Sequence, residues 1–229
     1  MFVMPYLIVL QLIPAFILIL FGLVRQKKFQ PYLDMLLMIL PATFFYGMIM
    51  SNLPEGGFQW YFYFLAKTIL FLLPGLVIIK LRKYKLSDFG ITINRLKLSI
   101  LLGFGILIIT SITNAIIFSL KGYIFSPLFL LWSIPLFFDA FNEEFMFRGV
   151  FFFFALKNTE NLILSYIVSM ILAFAWHPEF TIFRMIPVFV QGTLLCYLLY
   201  KSENIFGAWI SHGLNRTSAF VLAQLLTKL

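Results

Sequence analysis

Apolar residues run along this chain in long blocks, and polar residues gather in the short gaps between them. A helix needs roughly 20 mostly apolar residues to cross a hydrocarbon layer about 30 Å thick. Against that length the pattern predicts about eight membrane helices, at approximately 2–24, 31–50, 58–79, 98–120, 126–156, 161–177, 183–200 and 205–227. The fifth block is overlong, which leaves three forms open: a tilted helix, a broken helix, or a short re-entrant piece followed by a helix. The longest polar stretch, Lys80 to Lys97, is too short to build a core of its own. The expected fold class is all-α, a polytopic transmembrane helical bundle forming one integral domain over residues 1–229. The first block lacks a basic leader and a small-residue cleavage site, so it is expected to stay as a span.

Composition sharpens this reading. With 62% apolar, 19% aromatic and 11% charged residues, the 229-residue chain lies far outside the range of soluble domains. A net charge of +8 would point to nucleic acid if it were spread over a surface. Instead Arg25, Lys27 and Lys28 follow the first block, Lys80 to Lys97 fill the loop after the third, and Lys157 and Lys201 follow the fifth and seventh. If the chain alternates, all of these lie on one side, which the positive-inside bias makes cytoplasmic, with the N-terminus outside. The expected partner of this charge is the lipid headgroup layer, not nucleic acid. The single cysteine, Cys196, lies in an apolar run, excludes an internal disulfide and reads as packing. No internal repeat is visible, so an inverted-repeat transporter gains no support. Gly103 and Gly105 suit close packing between helices.

Ionisable side chains deep in a span are costly and mark function by default. Among the acidic residues only Asp139, Glu143 and Glu144 fall at depth, and among the basic ones Lys67, Arg148 and Arg216, with Arg184 near a boundary. Glu144 and Arg148 stand at i, i+4 with the acid on the N-terminal side, the spacing of a helical ion pair. Glu143 is turned about 100° from Glu144 and shares its face with Asp139 and Phe147. The two glutamates are therefore expected to differ in role: Glu144 paired, Glu143 left unpaired. An unpaired carboxylate in a low-dielectric site is poised as a general base near neutral pH. The bland alternative is a helix-to-helix ion-pair network with Lys67 as a further counter-ion.

The two histidines lie in the same half of the chain as the glutamates. His177 precedes Pro178, which disfavours helix at that position. His212 has Asn215 and Arg216 at i+3 and i+4, which predicts one shared helix face. A base, two imidazoles and an amide are the parts that amide hydrolysis requires: a base for water and donors for the oxyanion.

The motifs "EEFMFR" (Glu143–Arg148), "AFAWH" (Ala173–His177) and "HGLNR" (His212–Arg216) resemble, in order and spacing, those of the CAAX protease and bacteriocin-processing family, also called the Abi or type II CAAX prenyl protease family. The resemblance covers roughly residues 126–229. Two departures stand out. Phe174 lies three residues before His177 where the family usually has four, and Asn215 lies three after His212 where the family usually has Asn or Asp at four. The resemblance implies a glutamate-dependent intramembrane endopeptidase with its site within the membrane, between helices of the C-terminal half. On that reading Glu143 activates water, His177 holds and polarises it, and His212 with Asn215 stabilises the oxyanion. Glu144 and Arg148 would support the site. Asp139, Arg216 and Lys67, singled out by depth alone, are secondary candidates.

No cofactor is expected. Two histidines and a glutamate could compose a zinc site, but the H-E-x-x-H spacing is absent. The G-x-S-G, G-x-G-D and G-x-x-x-x-G-K patterns of serine and aspartyl intramembrane proteases and of phosphate-binding loops are absent too. The expected substrate is a small membrane-associated or secreted peptide, lipidated or not, and the expected location is a bacterial plasma membrane. Two other classes fit the same residues. A proton-coupled transporter would use Asp139, Glu143, His177 and His212 as a relay, and an immunity or peptide-binding protein would need no catalysis.

Overall fold

The computed structural model describes residues 5–44, 59–122, 128–177 and 181–226, which are mostly helical. In chain order these are α1 (Pro5–Val24), α2 (Gln30–Phe44), α3 (Gln59–Arg82), α4 (Leu96–Leu120), α5 (Leu128–Glu144), α6 (Ala155–Thr159), α7 (Leu162–Ala175), α8 (Ile182–Ser202) and α9 (Phe206–Leu226). The all-α bundle read from the sequence is the observed fold. Among the described residues three helices are long and apolar enough to cross a membrane, Phe62–Arg82, Leu96–Leu120 and Ile182–Ser202. Their apolar side chains stay largely uncovered: on α4, Leu101 is 60%, Ile108 62% and Ile112 50% exposed. Such a surface suits hydrocarbon and not water.

The overlong fifth block is neither broken nor re-entrant where it is described. Between α5 and α6 the chain stays helical as a π-helix, Phe145–Phe154, in which each backbone bond reaches one residue further than in an α-helix. All ten of its residues are buried. Residues 126 and 127, the start of the predicted block, lie outside the described residues.

The chain divides into two compact units, residues 1–91 with 142–178, and residues 92–141 with 179–229. In the first, α1 packs on α2 and α7, and α2 on α3. A side chain at Gly22 would overlap the Tyr32 ring, so glycine is what lets α2 lie against α1. Three loops meet at one end of this unit. Lys27, between α1 and α2, pairs with Glu160 at 3.2 Å, and Lys157 pairs with Asp88 at 3.2 Å and donates to the Ser87 carbonyl at 3.1 Å. These are three of the loops that strict alternation puts on one side. Behind them Asp34, fully buried, accepts from Gln30 (2.8 Å), Arg82 (3.2 Å) and the Tyr84 phenol (2.8 Å).

In the second unit α4 and α9 make the most extensive contact, with α8 against α4. The backbones approach at Gly103 and Gly207, where a Cβ on either would overlap the facing main chain. Ser99 closes the crossing: its hydroxyl donates to the Asn204 carbonyl at 2.8 Å and accepts from the Gly207 amide at 2.9 Å. Gly105 takes no part, because a Cβ there would meet nothing within 4 Å. The packing role expected of both glycines therefore falls to Gly103 alone.

Candidate active site

Glu143 and His177 lie on a helical hairpin of the first unit. Its arms are the α5 end with the π-helix and α6 on one side and α7 on the other, turning at Glu160 and Asn161. Each residue is 17 positions from Glu160, one before and one after. At about 1.5 Å rise per residue both are roughly 20–25 Å from the turn, which is less than the hydrocarbon thickness. This depends on α7 being short, 14 residues from Leu162 to Ala175. Simple alternation would carry His177 across the layer, but α7 by itself is shorter than a span. Pro178 to Phe180 lie outside the described residues. The next helix, α8, begins at Ile182.

The two adjacent glutamates are divided between two cations. Arg148 Nη1 is 3.3 Å from Glu144 Oε1, the i, i+4 pair read from the spacing, and both side chains are buried. Glu143 departs from expectation. It is not unpaired: Lys67 Nζ of α3 lies 2.6 Å from its Oε1. One position along, Asn142 Nδ2 donates to Thr68 Oγ1 at 2.9 Å, so two neighbouring contacts fix α3 against the end of α5. Access also separates the glutamates, since the side chain of Glu143 is 12% exposed and that of Glu144 0%.

Lys67 sits among rings. Its ammonium lies 5.9 Å from the centroid of Tyr63 and 5.5 Å from that of Phe71, one turn to either side on α3. Phe71 meets Trp176 edge-on at 4.7 Å, and Trp176 lies 6.0 Å from Phe147. His177, half-buried, places Nδ1 2.8 Å from the Ala173 carbonyl. A carbonyl can only accept, so Nδ1 carries the hydrogen, and in the neutral ring Nε2 presents its lone pair.

His212, Asn215, Arg216 and Asp139 belong to the second unit. There α9 is fixed to α5 on both sides of His212. Trp209 Nε1 donates to the Phe137 carbonyl at 2.7 Å and its ring meets Phe141 at 5.3 Å, while Gly213 lies close enough to Phe137 that a Cβ would overlap the ring. Asn215 is buried, and its Oδ1 accepts from Ser111 of α4 at 3.4 Å; Ser111 in turn lies 2.5 Å from the Ser218 hydroxyl. Arg216 is exposed. The shared face expected of His212, Asn215 and Arg216 is thus split, with the amide turned into the α4 contact and the guanidinium outward. Asp139 is buried on α5, one turn before Glu143.

Sequence reasoning missed Ser111 and Asp34 as anchors. Ser111 is one of many hydroxyls in an apolar helix, and Asp34 falls near the start of the second predicted block. In both cases the partner that gives the residue meaning is distant in sequence.

Residues 125–218 match the family model described as "Rce1-like: Type II CAAX prenyl endopeptidase Rce1-like". The matched stretch contains all three motifs, so the resemblance read from them is shown. It supports a protease in general as the activity, and with the apolar helices a membrane protein. No curated protein and no solved structure matches the chain.

Proposed function

We propose that this protein is an intramembrane endopeptidase in which Glu143 activates water to hydrolyse a peptide bond of a small membrane-associated or secreted peptide. The observation that carries this is the division of the glutamates. Glu144 is enclosed with Arg148, whereas Glu143, as many residues from the hairpin turn as His177, keeps part of its surface open. A general base must reach water, and only the second arrangement allows it.

In this reading the water oxygen bonds to the substrate carbonyl carbon as Glu143 takes its proton. His177 Nε2 accepts a hydrogen bond from the same water and orients it. The oxyanion draws on His212 and Asn215, whose roles come from the family resemblance. Collapse breaks the carbon–nitrogen bond, and the proton held by Glu143 goes to the leaving amine. The basic loops gathered at one end support a cytoplasmic face there and an outside N-terminus, in a bacterial plasma membrane.

The test is mass-spectrometric. Purified wild type and Glu143→Gln in liposomes are given a pool of secreted-peptide precursors and prenylated tetrapeptide-tailed peptides. Cutting by wild type and its loss by at least about a hundredfold in the folded variant is expected. Equal cutting by both removes Glu143 as the base. Peptide binding or protection of cells by both, with no cutting by either, makes the protein a non-catalytic binder.

A further inference from the structure

We propose that Lys67 is the positioning residue of the catalytic base, holding Glu143 as a carboxylate and fixing its direction. This deepens the reading of Glu143 and rests on it. Lys67 lies on α3, outside residues 125–218, so no family pattern assigns it.

The argument begins with cost. A lysine 1% exposed on an apolar helix is expensive unless it is paired and its stem is packed. Here the stem lies between Tyr63 and Phe71, whose ring faces attract the ammonium, and the head meets Glu143 Oε1. A buried ion pair is a poor means of stabilising a fold, because desolvation of both charges offsets most of their attraction. Its presence here therefore calls for another use.

Geometry supplies one. A carboxylate alone among apolar side chains favours its protonated form, which cannot act as a base. A cation paired with one oxygen favours the ionised form and fixes the direction in which the carboxylate faces. The Thr68–Asn142 bond beside the pair fixes the helix register, so Lys67 sets a direction as well as a charge. Within the same unit Glu144 pairs with Arg148, and His177 Nδ1 bonds the Ala173 carbonyl. In this role no covalent bond to Lys67 forms or breaks.

The experiment compares Lys67→Met, which keeps the length of the stem and removes the charge, with Lys67→Arg, which keeps the charge. Steady-state cleavage is measured together with thermal unfolding. Lys67→Met is expected to lose kcat by about a hundredfold with KM changed less than about threefold, and Lys67→Arg to keep kcat within about tenfold. Wild-type kcat in Lys67→Met overturns the inference and leaves Glu143 as the base; cutting by Glu143→Gln overturns the reading beneath it instead. Where Lys67→Met does not fold, Lys67→Arg decides: kcat kept supports the inference, and a hundredfold loss at unchanged thermal stability overturns it. A readout without activity is the double variant Lys67→Met/Glu143→Gln. It should regain the thermal stability that Lys67→Met loses, and no recovery counts against the pair.

Discussion

Ser169 of α7 donates its hydroxyl to the carbonyl oxygen of Phe147, 2.8 Å away, from one arm of the Glu143–His177 hairpin to the other. Phe147 lies in the π-helix, whose residues are all buried, and Ser169 on α7 is fully buried. A hydrogen bond in such a place binds the arms at a fixed offset. Ser169→Ala should lower stability by about 1 kcal/mol, the usual net worth of one such bond. Thermal unfolding in detergent measures it. A variant as stable as wild type would mean that the carbonyl is satisfied equally well along its own helix.

Glu144 and Arg148 predict a larger, non-additive effect. Both side chains are buried, and removing one charge leaves the other without its counter-ion in an apolar surround. Glu144→Gln or Arg148→Met alone should cost about 3–5 kcal/mol, and the double variant much less than the sum of the two. A double-mutant cycle on unfolding free energies checks this. Additive losses would show that the two side chains act separately.

The hydropathy blocks gave most helix boundaries to within a few residues, because a span must be long and apolar whatever it packs against. The Glu144–Arg148 pair was legible for a similar reason, since helical spacing alone determines it. The state of Glu143 was not. Its partner Lys67 lies 76 residues earlier, and periodicity on an all-apolar helix does not say which neighbour it faces. The π-helix was equally hidden: a run such as "FMFRGVFFFF" is apolar on every face, so widening the turn changes no pattern. The short α7 escaped because hydropathy continues through Trp176 while the helix stops at Ala175.

Tyr84 lies just past α3, outside the spans, and its phenol is pushed above the ordinary value of 10.0, first by burial and then by its bond to Asp34. The folded state therefore holds this proton more tightly than the unfolded chain. The stability it contributes is complete below about pH 10 and is lost as pH rises from there through the folded value. Tyr84→Phe should remove that part of the alkaline slope and lower stability at neutral pH. Unfolding followed at several pH values between about 8 and 11 checks both. An unchanged slope would place the alkaline sensitivity elsewhere.

Gly207 tests the second unit, where α9 crosses α4. Its amide bonds the Ser99 hydroxyl at 2.9 Å, and a Cβ there would overlap the Ser99 carbonyl, which is main chain and cannot rotate away. Alanine would therefore have to push the helices apart, weakening the Ser99 bonds to Gly207 and Asn204 together. Overpacking of this kind costs roughly 1–3 kcal/mol. Gly105→Ala is the control, because that position is open and alanine is the better helix former. Gly207→Ala should lower the unfolding temperature and Gly105→Ala should leave it unchanged or raise it. Since α9 carries His212 and Asn215, Gly207→Ala should also reduce cleavage more than Gly105→Ala does. Equal effects of the two substitutions would show that the α4–α9 crossing does not depend on the glycine.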